Sequence, residues 1–353
     1  MPGSHGRREF LSPASFGRLL AAVTGGDWKS NATAETSQGW LCRASREAMA
    51  TKFEVLFDAI DSDRYGLVEK ALDLVGELES QLTVYNEESE IGVLNRKAFR
   101  EEAPVEENLY ALLKECRDLW VETEGAFDVT LHALLKAWGV FRGPPRKLTA
   151  EQVEEHRKKC GQDKVHLNDE TRTVRFGVEG LGINLGAIGK GYSLDRVGGL
   201  LLEGGLEHFL VHGGHSSIVA RGSSTWEKGW LISVAHPLDW QKSVAKIRLL
   251  NESLSTSALK RDTIEGERVS HTIDPRTGHP AETDLISVSV LAETAARAEA
   301  LSTGLSVMGL DKALDYCEKH RDIGGLLIRL EPDSDSPEII HRNLSNRIVE
   351  VLN

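Results

Sequence analysis

Between Ile183 and Asp195 the chain reads Ile-Asn-Leu-Gly-Ala-Ile-Gly-Lys-Gly-Tyr-Ser-Leu-Asp, which concentrates residues suited to holding an anion. Gly186, Gly189 and Gly191 can take positive φ and let backbone approach a ligand closely. Helix-like sequence follows from Tyr192 through Leu201. A helix starting there would point free N–H groups and a positive dipole end outward, which suits phosphate. Lys190 adds a cation to the loop. The spacing is neither the Rossmann nor the P-loop fingerprint, so a purely structural strand-to-helix turn is an equally open reading of these residues.

Other stretches could also do chemistry. Ser270-His271-Thr272-Ile273-Asp274-Pro275-Arg276-Thr277-Gly278-His279-Pro280 is dense in turn residues and functional groups. His271 is the best general-base candidate, since imidazole is the side chain suited to moving protons near neutral pH; the Asp-Pro and Thr-Gly pairs also suit a tight surface turn. Glu299 and Thr303 stand four apart on a predicted helix and therefore share a face. A carboxylate and a hydroxyl so placed suit Mg²⁺, which prefers oxygens and keeps coordination positions for phosphate and water. The alternative is a solvated glutamate beside a threonine bonded to its own backbone. Gly213-Gly214-His215 reads as a sharp turn between two apolar strands. Tyr85, in a loop from Thr83 to Asn95 with Ser89 and Glu90, offers an aromatic face for a planar ring or for the core.

The elements that must position these groups follow from periodicity. Phe53, Val55 and Phe57 alternate as in a half-buried strand. Asp61-Ser62-Asp63 opens a helix with Leu67, Ala71, Leu74, Val75, Leu78 and Leu82 on one face. A second helix runs from about Val105 to a stop at Gly125. Gly125-Ala126-Phe127-Asp128-Val129-Thr130 then leads to Trp138-Gly139, and a hairpin is predicted around Asn168-Asp169. Strands follow at Phe209–Val211, Ser217–Ala220, Trp230–Val234, Ile247–Leu250, Ile286–Val290 and Gly325–Leu330. Helices are predicted over Ala295–Met308 and Asp311–Glu318. Strands in runs with helices grouped between them point to an α+β fold.

At 353 residues the chain has ample length for a core, and 40% hydrophobic with 27% charged residues is a globular composition. A net charge of −12 argues against a nucleic-acid surface. Residues 1–46 carry +3, leaving −15 on the remainder, so an anionic ligand needs local cation or metal. Cys42, Cys116, Cys160 and Cys317 are far apart and show neither zinc spacing nor a disulfide framework. No apolar run approaches the roughly 18 residues of a membrane span. Arg7-Arg8-Glu9-Phe10-Leu11 looks like the core of a twin-arginine export signal, but Pro13 and Arg18 interrupt its apolar region. A cytoplasmic location is therefore expected, with export by this degenerate signal as the alternative. Residues 1–47 are expected to be a tail and linker, and 48–353 one folded domain.

Taken together, these segments resemble the FAD:protein FMN transferase family, the ApbE-like flavin transferases. The resemblance runs from Met49-Ala50-Thr51 to about Gly309. It covers Thr83-Val84-Tyr85 with Ser89-Glu90 and Leu94-Asn95, then Ala126 through Thr130, Asn184 through Tyr192 with Asp195, and Gly213-Gly214. It continues through Ser255-Thr256-Ser257, His271 through Gly278, and Glu299-Ala300-Leu301-Ser302-Thr303. The resemblance implies a T-fold-like α+β domain with an FAD and Mg²⁺ cleft, transferring FMN to a Thr or Ser hydroxyl of another protein with release of AMP. It implies that Met49, Tyr85, Ala126, Phe127, Asp128, Asn184 and Lys190 line the flavin site. It implies Mg²⁺ on Ala187 (through its carbonyl), Glu299 and Thr303, and His271 as the base. The implied partner is a flavin-acceptor protein, a membrane redox complex subunit or an extracytoplasmic electron carrier. The chain departs from the family's usual Asp at Asn184, His215 and Glu299, and from its usual Gly at Ala50 and Ala258. A family member that binds FAD without transferring it is the second function these residues leave open.

Overall fold

The framework of the computed structural model is a nine-stranded sheet whose strands lie side by side in chain order. They are Glu9–Leu11, Leu41–Ala48, Thr51–Asp58, Phe209–Gly213, Ser217–Arg221, Ser253–Ala258, Leu285–Ala292, Gly324–Arg329 and Glu338–Arg342. Each pairs antiparallel with the next. The structure describes residues 9–11, 41–140, 145–224, 228–258, 261–264, 267–330 and 336–352; Arg7 and Arg8 lie outside them.

Both faces of the sheet are covered. Phe53, Val55, Phe57, Phe209 and Val211 pack on Val68, Leu72 and Val75 of helix Tyr65–Leu82 and on Leu194, Val197 and Leu201 of helix Gly189–Glu203. On the other face Leu56, Leu210, Ile218 and Leu254 meet Trp230, Ile232, Ile247 and Leu249. These last belong to a three-stranded sheet of Trp230–His236, Asp239–Leu249 and Ile348–Val351. Burial on two sides is why every residue from Phe53 to Phe57 is buried, where alternation predicts one wet face. A third core gathers helices Glu90–Lys97, Glu107–Glu122 and Ala295–Met308 over the hairpin of Val165–Asn168 and Thr173–Phe176.

The α+β expectation holds, with differences at the edges. The sheet takes in Leu41–Ala48, seven residues before the expected start of the folded body at Ala48, and buries Leu41, Cys42 and Ala44. Ser253–Ala258 is a full central strand although its sequence is mostly hydroxyls. The chain also continues past Leu330 into two more strands. Asp61-Ser62-Asp63 falls in a 3₁₀ turn, Ala59–Arg64, ahead of the α-helix.

One hairpin tip is conformationally costly. The register pairs Ala48 with Thr51, leaving Met49-Ala50 as a two-residue turn with φ of 51° and 56°. Such turns need left-handed backbone at both positions and favour Asn-Gly. Met49 N–H donates to Glu79 Oε1 at 2.7 Å, which ties the tip to helix Tyr65–Leu82. The neighbouring tip docks on it: Gly214 N–H donates to Lys52 O at 3.0 Å, and a Cβ on Gly214 would lie 2.3 Å from Thr51 Oγ1. An L-residue in left-handed backbone costs about 1–2 kcal/mol, against about 0.5–1 for the extra chain entropy of glycine. Ala50→Gly is therefore expected to stabilise the fold by about 0.5–1 kcal/mol. Urea denaturation midpoints check this, and a lower midpoint for the variant would show that position 50 is unstrained.

Candidate functional site

The glycine stretch is a corner between paired backbone and a helix. Gly182 bridges Leu131 in parallel, and Asn184 N–H donates to Val129 O at 2.7 Å, so the stretch from Gly182 to Asn184 runs beside Val129, Thr130 and Leu131, next to Phe127-Asp128 in the chain. Asn95 fixes it from behind, donating to Ile183 O at 2.9 Å and accepting from Ile183 N–H at 2.7 Å. Asn184 Oδ1 accepts from Gly186 N–H at 2.9 Å and closes the turn. The helix starts at Gly189, earlier than the predicted Tyr192. Gly186, Gly189 and Gly191 are absent from the positive-φ glycines. What Gly191 permits is close approach, since a Cβ there would lie 2.2 Å from the carbonyl oxygen of Ala295.

That contact brings the second candidate element against the first. Helix Ala295–Met308 is N-capped by Thr294 and also by Asp195, whose two carboxylate oxygens accept from Ala295 and Ala296 N–H at 2.8 Å each. One turn on, Glu299 is 6% exposed, and its Oε1 binds the Lys190 ammonium while its Oε2 accepts from Gly191 N–H at 2.5 Å. Lys190 Nζ also donates to Ser217 Oγ at 2.7 Å. Thr303 Oγ1 donates to Glu299 O at 3.2 Å and lies 3.3 Å from Ser257 Oγ, which is itself 2.8 Å from Ser302 Oγ. The solvated-glutamate alternative is thus set aside, while the threonine does bond its own backbone. Lys190 and the Glu299/Thr303 face form one cluster.

The same helix reaches the Phe127 loop and Arg276. A Cβ on Gly304 would lie 3.2 Å from Phe127 Cβ, so the Ala126-Phe127-Asp128 loop sits directly on it. Phe127 N–H donates to Thr123 Oγ1 at 3.0 Å, and Asp128 Oδ1 accepts from Thr130 N–H and Oγ1 at 2.7 Å each. Burial pushes the Asp128 carboxyl up to about 6 despite the Thr130 bonds. From the far end, Val307 O accepts from Arg276 at 3.2 Å, and Arg276 is held by Asp274. Trp138 Nε1 donates to Gly278 O at 2.9 Å. These bonds fix the loop that begins at His271, which is itself exposed. Tyr85 is 57% exposed on its loop. Met49 sits half-buried, its sulfur 3.7 Å from Ser193 Oγ of the glycine helix, and Ala187 packs half-buried at the corner.

Residue-type patterns missed the hydroxyl lining. Ser217 and Ser255 are 3.0 Å apart and almost fully buried, as is Ser302. Among the described residues no three His, Cys, Asp or Glu side chains converge as a ligand set. A cation here would depend on one carboxylate with hydroxyl and carbonyl oxygens, a donor set that suits Mg²⁺. The lysine ammonium on Glu299 shows that the pocket already accommodates positive charge.

The three departures from the family pattern have internal partners. Asn184 serves the turn, and Glu299 meets Lys190. His215, with φ of 64°, stacks on His212 with ring centroids 5.3 Å apart. Burial, with help from the neighbouring His212, depresses the His215 pKa. His212 Nε2 lies 3.3 Å from Glu54 Oε2, and Lys52 Nζ 2.7 Å from Oε1. Burial acts to raise the Glu54 pKa, but the adjacent His212 and Lys52 prevail and bring it to about 2.

The fold is that of the flavin-transferase class of α+β proteins. The flavin transferase ApbE from Vibrio cholerae matches with a TM-score of 0.78 and 27% identity, covering 88% of this chain and 99% of that one. The ApbE protein from Thermotoga maritima gives 0.76 and 27%, over 85% and 96%. The model of the ApbE family matches residues 49–327, and the chain belongs to that family. A curated relative from Haemophilus influenzae, named FAD:protein FMN transferase, is 32% identical over 268 residues, or 73% of this chain and 77% of its own.

The Asp195 cap carries a pH signature. Burial raises its pKa to about 6 from an ordinary 3.8, although both backbone N–H groups oppose this. The folded state then holds a proton that the unfolded state has lost between those values. The contribution of Asp195 to stability is accordingly greatest below about 4, falls as pH rises to about 6, and is level above. Asp195→Asn removes that slope. Denaturation at pH 4.5 and 7 is expected to show the wild type losing ground to the variant on going to pH 7. An unchanged difference would mean that Asp195 titrates normally.

Proposed function

We propose that this protein moves the FMN half of FAD onto a Thr or Ser hydroxyl of a target protein and releases AMP. The protein is an FAD:protein FMN transferase by family; the finer reading concerns which residues do the work. The observation that carries it is the cluster of Lys190, Glu299 and buried hydroxyls at the glycine corner. It is a charged, oxygen-rich seat of the kind a diphosphate and a divalent ion require in a protein of net charge −12.

In this reading the domain is T-fold-like and the dinucleotide lies in a cleft along helix Ala295–Met308. Tyr85 offers its exposed ring for the flavin, with Met49, Ala126, Phe127, Asp128 and Asn184 around it. Lys190 faces the diphosphate. Glu299, Thr303 and the Ala187 carbonyl would hold Mg²⁺, and the ion would supply charge neutralisation for the diphosphate and the leaving group. The acceptor oxygen forms a bond to the FMN phosphorus as the bond from that phosphorus to the bridging oxygen breaks. AMP leaves with the bridging oxygen, and His271 takes the hydroxyl proton.

Incubation of the protein with FAD, Mg²⁺ and a flavin-acceptor peptide tests the reading. AMP release with a covalent flavin on the peptide is the expected result, whereas bound, intact FAD without AMP would make the protein a flavin binder. His271→Ala should lower transfer by about 10²–10⁴-fold, the range for loss of a general base, and leave FAD affinity within a few-fold. Transfer by that variant at the wild-type rate would remove His271 from the role.

A further inference from the structure

Both carboxylate oxygens of Glu299 are already engaged. One carboxylate oxygen is bound by the Lys190 ammonium and the other by Gly191 N–H, in a position 6% exposed. The lysine is placed there by its surroundings. Ser217 accepts a second of its protons, and Gly213 leaves room for its stem, since a Cβ on Gly213 would lie 3.1 Å from Lys190 Cγ. A divalent ion approaching Glu299 must therefore displace a cation that is already seated.

We propose that Lys190 and the divalent ion exchange places on Glu299, and that the diphosphate of FAD drives the exchange. The proposal rests on the reading above, in that it takes Glu299 as the seat of the ion. Lysine carries a point charge on a flexible four-carbon stem, so it can swing while the backbone stays still. Its side chain retains 22% exposure and can reach an incoming anion. A diphosphate presents two negative charges against the single one of Glu299. Moving the ammonium onto the phosphates would leave a buried carboxylate without a counter-ion, which is strongly unfavourable. A divalent ion removes that penalty and bridges to the same phosphates. The Gly191 N–H holds the second carboxylate oxygen throughout, so the ligand does not drift when the lysine leaves. Charge balances at both ends: lysine against glutamate before, and lysine plus the ion against glutamate plus diphosphate after. The site thus resists metal alone and accepts metal with dinucleotide, a positive coupling that is reciprocal between the two ligands.

Loss of the Lys190 charge should then tighten metal binding to the nucleotide-free protein, while it weakens dinucleotide binding. Mn²⁺ is the probe, titrated into nucleotide-free protein with the free ion followed by electron paramagnetic resonance. Lys190→Met is expected to bind Mn²⁺ at least tenfold more tightly than the wild type, and Glu299→Gln placed on top of it should abolish the gain. If Lys190→Met fails to fold, Lys190→Gln keeps a donor for Ser217 and Glu299 without the charge and carries the same expectation. Equal or weaker Mn²⁺ binding by the folded lysine variant, or no binding by either protein, overturns the exchange. AMP release by the wild type is measured separately. Transfer without the tightening would sink the exchange and leave the transferase reading standing, and tightening without transfer would do the reverse.

Discussion

A single buried carboxylate, Glu299, sets the terms for the rest of the structure. Its helix, Ala295–Met308, is buried along most of its length and lies against the glycine helix, the Phe127 loop and the Arg276 side chain. Asp195 caps its start, and Gly191 lets it cross the glycine helix at backbone contact. Gly304 seats it on Phe127, and Arg276 ties its last turn to the His271 loop. A charge so placed cannot be left unpaired. The fold answers with Lys190 on one oxygen and a backbone N–H on the other.

The sheet is shaped to the same demand. Along Ser253–Ala258 the residues facing this helix are Ser253, Ser255 and Ser257, where a buried strand would ordinarily show branched aliphatics. Small side chains let the helix come close. Their hydroxyls are satisfied in pairs, Ser255 with Ser217 and Ser257 with Ser302, as buried polar groups must be. The other face of that strand carries Leu254 into the second core. The strand therefore alternates in the correct period with a polar inner face, a combination hydrophobic patterning alone reads as loop.

Much of this was legible in the residues. Period and turn chemistry identify the helix Ala295–Met308, the hairpin around Asn168-Asp169 and most strands within a residue or two. The pairing of Glu299 and Thr303 on one face follows from their spacing. The glycine corner was found for an incomplete reason: composition suggested positive φ, whereas Gly191 is required because Ala295 of a distant segment lies against it. Leu41–Ala48 was obscured by Arg43, Ser45, Arg46 and Glu47, whose charges find partners such as Glu54 and Asp73 once the strand is paired. Each such miss turns on a tertiary contact, Ala295 against Gly191 or Asp73 against Arg46, which local pattern does not encode.

The departures from the family pattern look different once their partners are known. Read along the chain, Asn184 and His215 each take a carboxylate away from one site. Asn184 instead spends its side-chain oxygen on Gly186 N–H, so it shapes the corner rather than adding charge to it. His215 stacks on His212, which leans on Glu54, whereas Lys190 lies against Ser217 of the same hairpin. Its replacement of an acid bears first on the Glu54 cluster. Of the three, only Glu299 lies in the Lys190 cluster, and it carries a carboxylate there. With −12 overall, the molecule keeps the buried Glu299 carboxylate at the glycine corner matched to Lys190. The Lys190 ammonium is shared there between Glu299 and Ser217, so one contact sets the charge of the corner in an otherwise acidic molecule.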